Sequence, residues 1–373
     1  MRKQILIFCH GYATQFIDIN NQYTQLFSND RYEVTVAYLV GKPDDAIKAR
    51  HIAPNVLFIH SPPRSTRGLK LFAFKKMLQL QREKSFEIVI CHRYKPTYIM
   101  LWVARFSNIP VLFSVMHELK TMHSLSRKFI VWLLAKRNII FAGVSNAVRN
   151  DLQQDVWGIP SERIITLYNM IDIDATEPEL LDKQIARKQL NLSPNDFIFG
   201  TIGRLVKAKD QETLINAFAY IKPHCPNAKL IIMGDGELEI SLKKQIQQLH
   251  LTNDVIMMGY VDKAFKYMKA FDVFVLPSIK EAFGRVLLEA MIAKIPIIAT
   301  QINGIPEVID EAGILIPGND PSVLAKEMLA LYQASSEQLN NRGNKGYQRV
   351  TTLFSLQRFQ DIFWSLPLVR PHR

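Results

Sequence analysis

Along the chain, short runs of Val, Ile, Leu and Phe alternate with segments whose apolar residues recur at helical spacing. In the first half, runs at 4–8, 33–39, 56–60, 87–91, 111–115, 139–144 and 164–168 predict strands. Helices predicted at 69–84, 97–107, 125–136 and 146–154 fall between several of them. Strands this uniformly apolar are buried on both faces, the condition of a parallel sheet covered by helices. A polar stretch from Asn169 to Asp182 interrupts the pattern, which restarts at Phe197. Strands are then predicted at 197–202, 229–233, 254–258, 272–276, 295–299 and 313–316. The helices between and after them are predicted near 211–221, 238–250, 264–270, 284–292, 322–332 and 335–347. The fold class is therefore α/β, with two Rossmann-like, doubly wound parallel-sheet domains at residues 1–170 and 171–350. The last segment, 351–373, carries aromatic residues at helical spacing and no further strand, and is predicted to be a helix packing back across the N-terminal domain.

Composition adds bounds. At 373 residues each half is long enough for its own core, and 48% hydrophobic with 21% charged residues is the balance of an ordered globular chain. No apolar run reaches the length that spans a bilayer, and the run after Met1-Arg-Lys is too short for a signal peptide. Three widely spaced cysteines, Cys9, Cys91 and Cys225, argue against a disulfide framework or a zinc site and suit a reducing compartment. The expected location is the cytoplasm.

Charge is unevenly divided. Residues 1–170 hold 23 Lys and Arg against 11 Asp and Glu, so of 46 basic and 34 acidic residues the remainder balance at 23 each, and the whole net charge of +12 lies in the first half. Its densest part is 64–84, with Arg64, Arg67, Lys70, Lys75, Lys76, Arg82 and Lys84 against Glu83 alone. Leu69, Phe72, Ala73, Lys76 and Leu80 recur there at helical spacing, which predicts a basic amphipathic helix. A second such segment is 126–137, where Arg127, Lys128, Lys136 and Arg137 flank Phe-Ile-Val-Trp-Leu-Leu. Two readings compete: core-packing helices with solvated basic faces, or a surface resting on anionic lipid headgroups at the inner face of the cytoplasmic membrane. No nucleic-acid recognition motif accompanies the charge, and none is expected as a partner.

Open parallel sheets bind ligands beyond the C-terminal ends of their strands, so the residues just after each strand carry the chemistry. In the first half these are Gly11 and Tyr12 in the turn after the first strand, and His92 and His117, each directly after a strand. In the second half, Gly203-Arg-Leu-Val-Lys-Ala-Lys209 brings Arg204, Lys207 and Lys209 into one loop leading to a helix, a combination suited to a diphosphate. Met233-Gly-Asp-Gly-Glu237 follows another strand, but Glu239 stands where a dinucleotide fingerprint needs its third glycine, which excludes a nicotinamide reading. Asp172-Ile-Asp174 matches a D-x-D pattern but lies in the boundary stretch, and no metal is expected. Glu289 sits among Val286, Leu287, Leu288, Ala290 and Met291, where an unpaired buried carboxylate would be costly. It either lies on the wet side of an amphipathic helix or meets a polar ligand.

In combination these motifs resemble the retaining glycosyltransferases of family four, with the GT-B fold of two facing Rossmann-like domains. The resemblance rests on Gly203-Arg-Leu with Lys209, Gly234-Asp-Gly236, Gly259-Tyr-Val261, Pro277-Ser278, Glu281-Ala-Phe-Gly284 with Glu289, and Asn303-Gly-Ile-Pro-Glu307. It is looser in the first half, through His117-Glu118, Val144-Ser-Asn146 and Tyr168-Asn169 with Asp172, and it departs at His10-Gly11-Tyr12, where many relatives carry a Gly-Gly pair. It implies a nucleotide-sugar donor, UDP-linked by preference, held by the second domain without a metal or other cofactor. Glu289 would accept from the ribose hydroxyls. Glu281 would sit at the sugar, with the backbone N–H groups of Phe283, Gly284, Arg285 and Val286 at a helix N-terminus. Arg204 and Lys209 would stabilise the leaving diphosphate. Gly203, Gly234, Tyr260 and Val261 would border the donor, and His117 would lie near the reacting sugar, with Gly11, Tyr12 and His92 on the acceptor side. The acceptor implied is a lipid-linked sugar or glycan of bacterial envelope polysaccharide or lipopolysaccharide assembly. The alternatives are a sugar-nucleotide epimerase of the same fold and a non-catalytic nucleotide-sugar-binding protein. A glycosidase would also use two carboxylates but has no use for cations placed for a departing diphosphate.

Overall fold

The structure, a computed structural model, describes residues 2–12, 14–60 and 70–373. Arg64, Arg67, Leu69 and Ala13 lie outside the described residues. The chain divides into two compact units, one running to Met170 and rejoined by Gln357–Arg373, the other Ile171–Leu356.

The first unit is built from β1 (Lys3–Cys9), α1 (Thr14–Thr24), β2 (Tyr32–Tyr38), α2 (Asp45–Ala49), β3 (Asn55–Phe58), α3 (Leu71–Lys84), β4 (Ile88–His92), α4 (Tyr94–Phe106), β5 (Val111–Met116), α5 (Leu125–Leu134), β6 (Ile139–Gly143), α6 (Asn146–Asp155) and β7 (Ile164–Thr166). Its strands pair in parallel in the order β3-β2-β1-β4-β5-β6-β7. The second unit contains α7 (Ile173–Thr176), α8 (Lys183–Gln189), β8 (Phe197–Ile202), α9 (Gln211–Ile221), β9 (Ala228–Met233), α10 (Glu239–Gln248), β10 (Val255–Gly259), β11 (Val273–Leu276), α11 (Arg285–Ile292), β12 (Ile297–Thr300), α12 (Ile305–Ile309), β13 (Ile314–Ile316), α13 (Pro321–Tyr332) and α14 (Ser336–Leu353). Its sheet order is β10-β9-β8-β11-β12-β13, again parallel. The middle strands β4, β5, β11 and β12 are buried throughout, as their mainly apolar runs require.

In each sheet the order reverses beside the first strand, between β1 and β4 and between β8 and β11. At such a switch point the connections leave to opposite faces and open a crevice at the C-terminal edge. In the first unit such a crevice lies by residues 10–12 and 92–93, and in the second a separate one lies by 203–209 and 277–284.

Several elements differ from expectation for local reasons. Helix α3 starts at Leu71, after Lys70 in a left-handed conformation (φ 54°). Its buried face is Ala73, Met77 and Gln81, while Phe72 and Lys76 point outward, so the inward stripe is offset from the one read from the sequence. Residues 264–270 form a 3₁₀ helix. Helix α14 runs on to Leu353, past position 351: the Ser335 capping box starts it and no proline interrupts it. The final helix α15 (Leu356–Ser365) packs in the first unit through aromatic contacts of Phe359 with Tyr23 (5.2 Å) and Phe363 with Phe113 (5.2 Å). The Trp364 indole N–H donates to the Leu26 carbonyl (3.2 Å).

Helix α14 approaches the end of α11 so closely that only glycine fits at Gly343, where an added Cβ would lie 1.9 Å from the Lys294 carbonyl oxygen. At Gly346 the nearest atom is the flexible Met291 Cγ at 3.2 Å. Backbone cannot yield as a methionine can, so Gly343→Ala is expected to destabilise by about 1–3 kcal/mol despite its gain in helix propensity. Gly346→Ala should be close to neutral. Thermal melts of the two variants check this: equal midpoints would show that the α11–α14 contact is not fixed by Gly343.

Candidate active site

The second unit's site is assembled by backbone. At the C-terminal edge, the Gly203 N–H donates to the Met233 carbonyl (2.9 Å), Leu205 N–H to Asp235 (2.7 Å) and Gly234 N–H to Gly259 (2.7 Å). The loops after β8 and β9 thereby lie on one another. The contact needs glycine on one side: a Cβ at Gly234 (φ 140°) would sit 2.0 Å from the Gly203 carbonyl oxygen, and one at Gly236 (φ 153°) 2.4 Å from that of Leu205. Across the switch point, Ile279 N–H donates to the Ala208 carbonyl (3.0 Å), which ties the loop after β11 to the basic loop after β8.

This stitching brings Lys209 and Glu281 together as an ion pair, both largely shielded. An ammonium carries three donors, so the pair leaves Lys209 with capacity for phosphate oxygens. Gly203 lies against the Lys209 stem, its Cβ position 3.7 Å from Cε. Arg204 is exposed while its carbonyl accepts from Gln211 (3.0 Å), so the backbone is fixed and the guanidinium is presented to solvent. Three residues after Glu281, Gly284 (φ 86°) turns the chain into α11 as its N-cap without a side-chain cap. A Cβ there would meet Leu287 Cδ1 at 2.8 Å. The partial positive end of α11, which Arg285 and Val286 begin, therefore opens beside Glu281. Phe283 points inward and packs edge-on to Phe354 (5.7 Å), so only its main chain can serve a ligand. Glu289 is half-buried on the face of α11 opposite Leu287, Leu288, Ala290 and Met291. Tyr260 and Val261 follow β10, two strands from β8, with Tyr260 largely exposed.

The first unit places His92 and His117 in contact, Nδ1 to Nε2 at 2.9 Å. His92 ends β4 and is fully buried, and burial, with a smaller push from Arg93, lowers its pKa to about 3. It is neutral at any ordinary pH. Its other nitrogen, Nε2, has no hydrogen-bond partner. A buried N–H without an acceptor is costlier than an unpaired ring lone pair, so His92 carries its proton on Nδ1 and donates to His117 Nε2. A neutral His117 is thereby held with its proton on Nδ1. Edge contacts with Tyr23 (4.8 Å) and Phe16 (5.4 Å) fix the two rings.

Gly11 follows β1 with its Cβ position 3.4 Å from Val40. Tyr12 packs on the β2–β3 side of that turn, near Tyr38 (5.7 Å) and Phe58 (5.8 Å) and over Gly41. Sequence reasoning passed over Arg93, which stacks on Phe16 (4.6 Å) and pairs with Glu118 (3.2 Å) at the same edge. Its place directly after a buried strand was the available signal. Asp172 caps α7 by accepting from Ala175 N–H (3.0 Å), which accounts for one aspartate of the D-x-D pattern. Among the described residues no cluster of three or more His, Cys, Asp or Glu side chains is arranged to hold a metal.

Residues 182–349 match the family described as glycosyl transferases group 1, and residues 23–175 match glycosyltransferase family 4. An uncharacterized glycosyltransferase of Methanocaldococcus jannaschii is 36% identical over 132 residues, 35% of this chain and 32% of that protein. The N-acetylgalactosamine-N,N'-diacetylbacillosaminyl-diphospho-undecaprenol 4-alpha-N-acetylgalactosaminyltransferase of Campylobacter jejuni is 29% identical over 259 residues, 66% of this chain and 68% of that protein. Among solved structures, Anabaena HepE in complex with UDP superposes with a TM-score of 0.79 at 22% identity, over 97% of this chain and 98% of that one, a likeness of fold. The two family matches between them span most of the chain, one in each parallel-sheet unit, and the chain belongs to glycosyltransferase family four, with the GT-B fold.

Proposed function

We propose that the protein is a retaining glycosyltransferase that moves a sugar from a UDP-sugar to a lipid-linked or glycan acceptor in bacterial cell-envelope polysaccharide biosynthesis. The observation that carries this reading is the group formed by Lys209, Glu281, exposed Arg204 and the uncapped start of α11, beside the half-buried Glu289. Cations and a helix N-terminus around one carboxylate suit a ligand with a diphosphate at one end and hydroxyls at the other. The preference for UDP is supported by the UDP bound to HepE, and a lipid-linked acceptor by the diphospho-undecaprenol acceptor named for the Campylobacter relative.

In this mechanism Glu289 accepts from both ribose hydroxyls and fixes the nucleotide. Lys209 and Arg204 neutralise the diphosphate as the bond between sugar C1 and phosphate oxygen breaks. The acceptor hydroxyl attacks C1 from the face the phosphate leaves, and its proton passes to the leaving phosphate oxygen, so no side-chain nucleophile is required. Glu281 holds Lys209 in place and accepts from a sugar hydroxyl. The first unit binds the acceptor, and His117, held by His92, donates toward the reacting sugar. Retention follows from same-face attack.

A panel of nucleotide sugars screened by thermal shift, followed by turnover with a polyprenyl-diphosphate-sugar acceptor, tests the donor and acceptor. UDP released only when acceptor is supplied, with an α-configured product from an α-linked donor by NMR, is the expected result. UDP-sugar isomerisation without acceptor would point to an epimerase. Glu289→Ala should raise KM for the donor, since one carboxylate holding two hydroxyls contributes roughly 1.5–3 kcal/mol, or more than about tenfold. Lys209→Ala should lower kcat by about 100-fold or more with the fold retained. Wild-type kinetics in either variant would remove that residue from the site.

His92→Phe keeps the ring volume but deletes the donor to His117. Its expected signature is a fall in kcat with little change in donor KM, because His92 acts through His117. An unchanged kcat would mean that the histidine pair serves packing alone. A related effect concerns stability. His92 (about 3) and His51 (about 4) have native pKa values lowered chiefly by burial, so below about pH 6.5 the unfolded chain takes up protons that the native chain refuses. Stability is then lost as pH falls from about 6.5 toward 4, and His92→Phe should flatten that part of the Tm–pH curve.

A further inference from the structure

Among the described residues, no helix is long and apolar enough to cross a membrane, yet one helix turns its apolar side outward. On α5, Leu125, Phe129, Trp132 and Leu133 are 72%, 53%, 55% and 50% exposed, while Val131 and Leu134 face the core. These four recur at i, i+4, i+7 and i+8, so they form one continuous stripe on the solvent side. A helix that serves only its own core places its large apolar residues on the buried face. The stripe is also ordered: the Phe129 and Trp132 rings lie 5.7 Å apart, and Trp132 rests on Gly158, where a Cβ would come within 2.8 Å of its Cδ1. Trp157, itself substantially exposed, adds a second indole next to Lys128.

At the end of α5, between the starts of β5 and β6, lies an open cavity of about 670 Å³. Lys136, Arg137 and Arg163 line it, and no acidic residue does. Arg105 and Phe106, at the end of α4, are exposed next to the lining residues Ala104 and Ser107. Not every nearby cation is available, since Lys128 is paired with Asp155 (2.6 Å) and the Lys136 ammonium is bound to the Ala104 carbonyl. Arg105 and Arg137 are exposed, and Glu162 is the acidic side chain closest in sequence to this rim.

We propose that α5, Trp157 and the basic cavity at its end form a docking surface for an anionic lipid bilayer, with the aromatic and aliphatic stripe entering the interface and the cavity taking lipid phosphate headgroups. Indole and phenyl rings beside Leu suit the zone between headgroup and acyl chain, and guanidinium and ammonium groups suit the phosphate layer above it. Complementarity favours lipid over a second copy of the chain, because two such surfaces would bring like charges together. Membrane contact thus falls on the second of the two basic segments read from the sequence, 126–137, and not on α3 in the first, whose outward side is mainly charged. It rests on the functional reading only for its purpose, delivery of a lipid-linked acceptor.

Vesicle co-sedimentation of the full chain tests it without turnover. Wild type should bind phosphatidylglycerol vesicles at low salt and bind phosphatidylcholine vesicles far more weakly. The triple variant Phe129→Ser, Trp132→Ser, Leu133→Ser should lose about tenfold or more in partitioning, and Arg105→Glu with Arg137→Glu a comparable amount through charge. Ile240→Ser, at an exposed site on the second unit, serves as control and should leave binding unchanged. Circular dichroism melts confirm that each variant is folded, and the charge pair keeps the test intact if the triple variant is not. In a Trp157→Phe background, brominated lipids should quench the remaining exposed indole, Trp132. Undiminished binding by both the triple variant and the charge pair would overturn the proposal. So would a wild type that is dimeric by light scattering and becomes monomeric in the triple variant. Transfer to a short, water-soluble acceptor should be equal in wild type and triple variant. If vesicle binding behaves as expected but no donor is turned over, the enzymatic reading fails and the docking surface stands.

Discussion

The second unit's site depends on close contact between two loops of main chain. Gly234 and Gly236, both at positive φ, let the loop after β9 lie against 203–205 with carbonyl oxygens where any side chain would stand. Hydrogen bonds then run from Gly259 through Gly234, Met233 and Gly203, while Leu205 binds Asp235 and Ala208 binds Ile279. Main-chain bonds of this kind set the position of Lys209 against Glu281 far better than two long, flexible side chains could set each other. The strength of the ion pair is thus secondary. What matters is that the loops hold an ammonium and a carboxylate together, largely shielded, at the start of α11.

The first unit solves a different problem, keeping a histidine neutral and oriented at a basic edge. His92 is fully enclosed, and the neighbouring Arg93 adds to the penalty on its protonation. His10, at the adjacent strand end, is lowered by burial and by Lys95 and Arg93 in the same way. Positive surroundings and burial act in the same direction on imidazole, so this edge offers polar groups without adding positive charge of their own. Arg93 is held to Glu118 and Phe16 at the same edge, which limits where its charge can go.

Much of this was legible in the chain. Mainly apolar runs marked the strands of both sheets, most clearly in the middle strands, where burial on both faces leaves little other choice of residue. The loops carrying Lys209, Glu281 and Gly284 were legible as turns after strands, where close main-chain contacts and a positive φ call for particular residue types. What stayed hidden has one cause: periodicity shows that a helix has two faces and does not say which one the fold covers. Helix α3 buries Ala73, Met77 and Gln81 and leaves Phe72 outside, and α5 exposes its two aromatic residues. The His92–His117 bond joins residues 25 apart through the pairing of β4 with β5, which no local pattern encodes.

The charge division now has a structural counterpart. A net charge confined to one half of a chain is not needed to build such a sheet, since the charge-balanced half builds a parallel sheet of the same kind. The excess must therefore answer to something outside the core. Some of the basic residues have acidic partners, as Lys84 with Glu33 (3.7 Å) and Lys128 with Asp155. Others line the cavity at the end of α5, where no acidic residue does, beside apolar side chains turned to solvent. Either feature alone is common on a protein surface. An ordered aromatic stripe joined to a basic rim is a costlier arrangement, because each exposed ring forgoes burial and each unpaired cation adds repulsion. Such a cost on a surface that the fold does not need is the physical reason to look there for a second ligand of this protein.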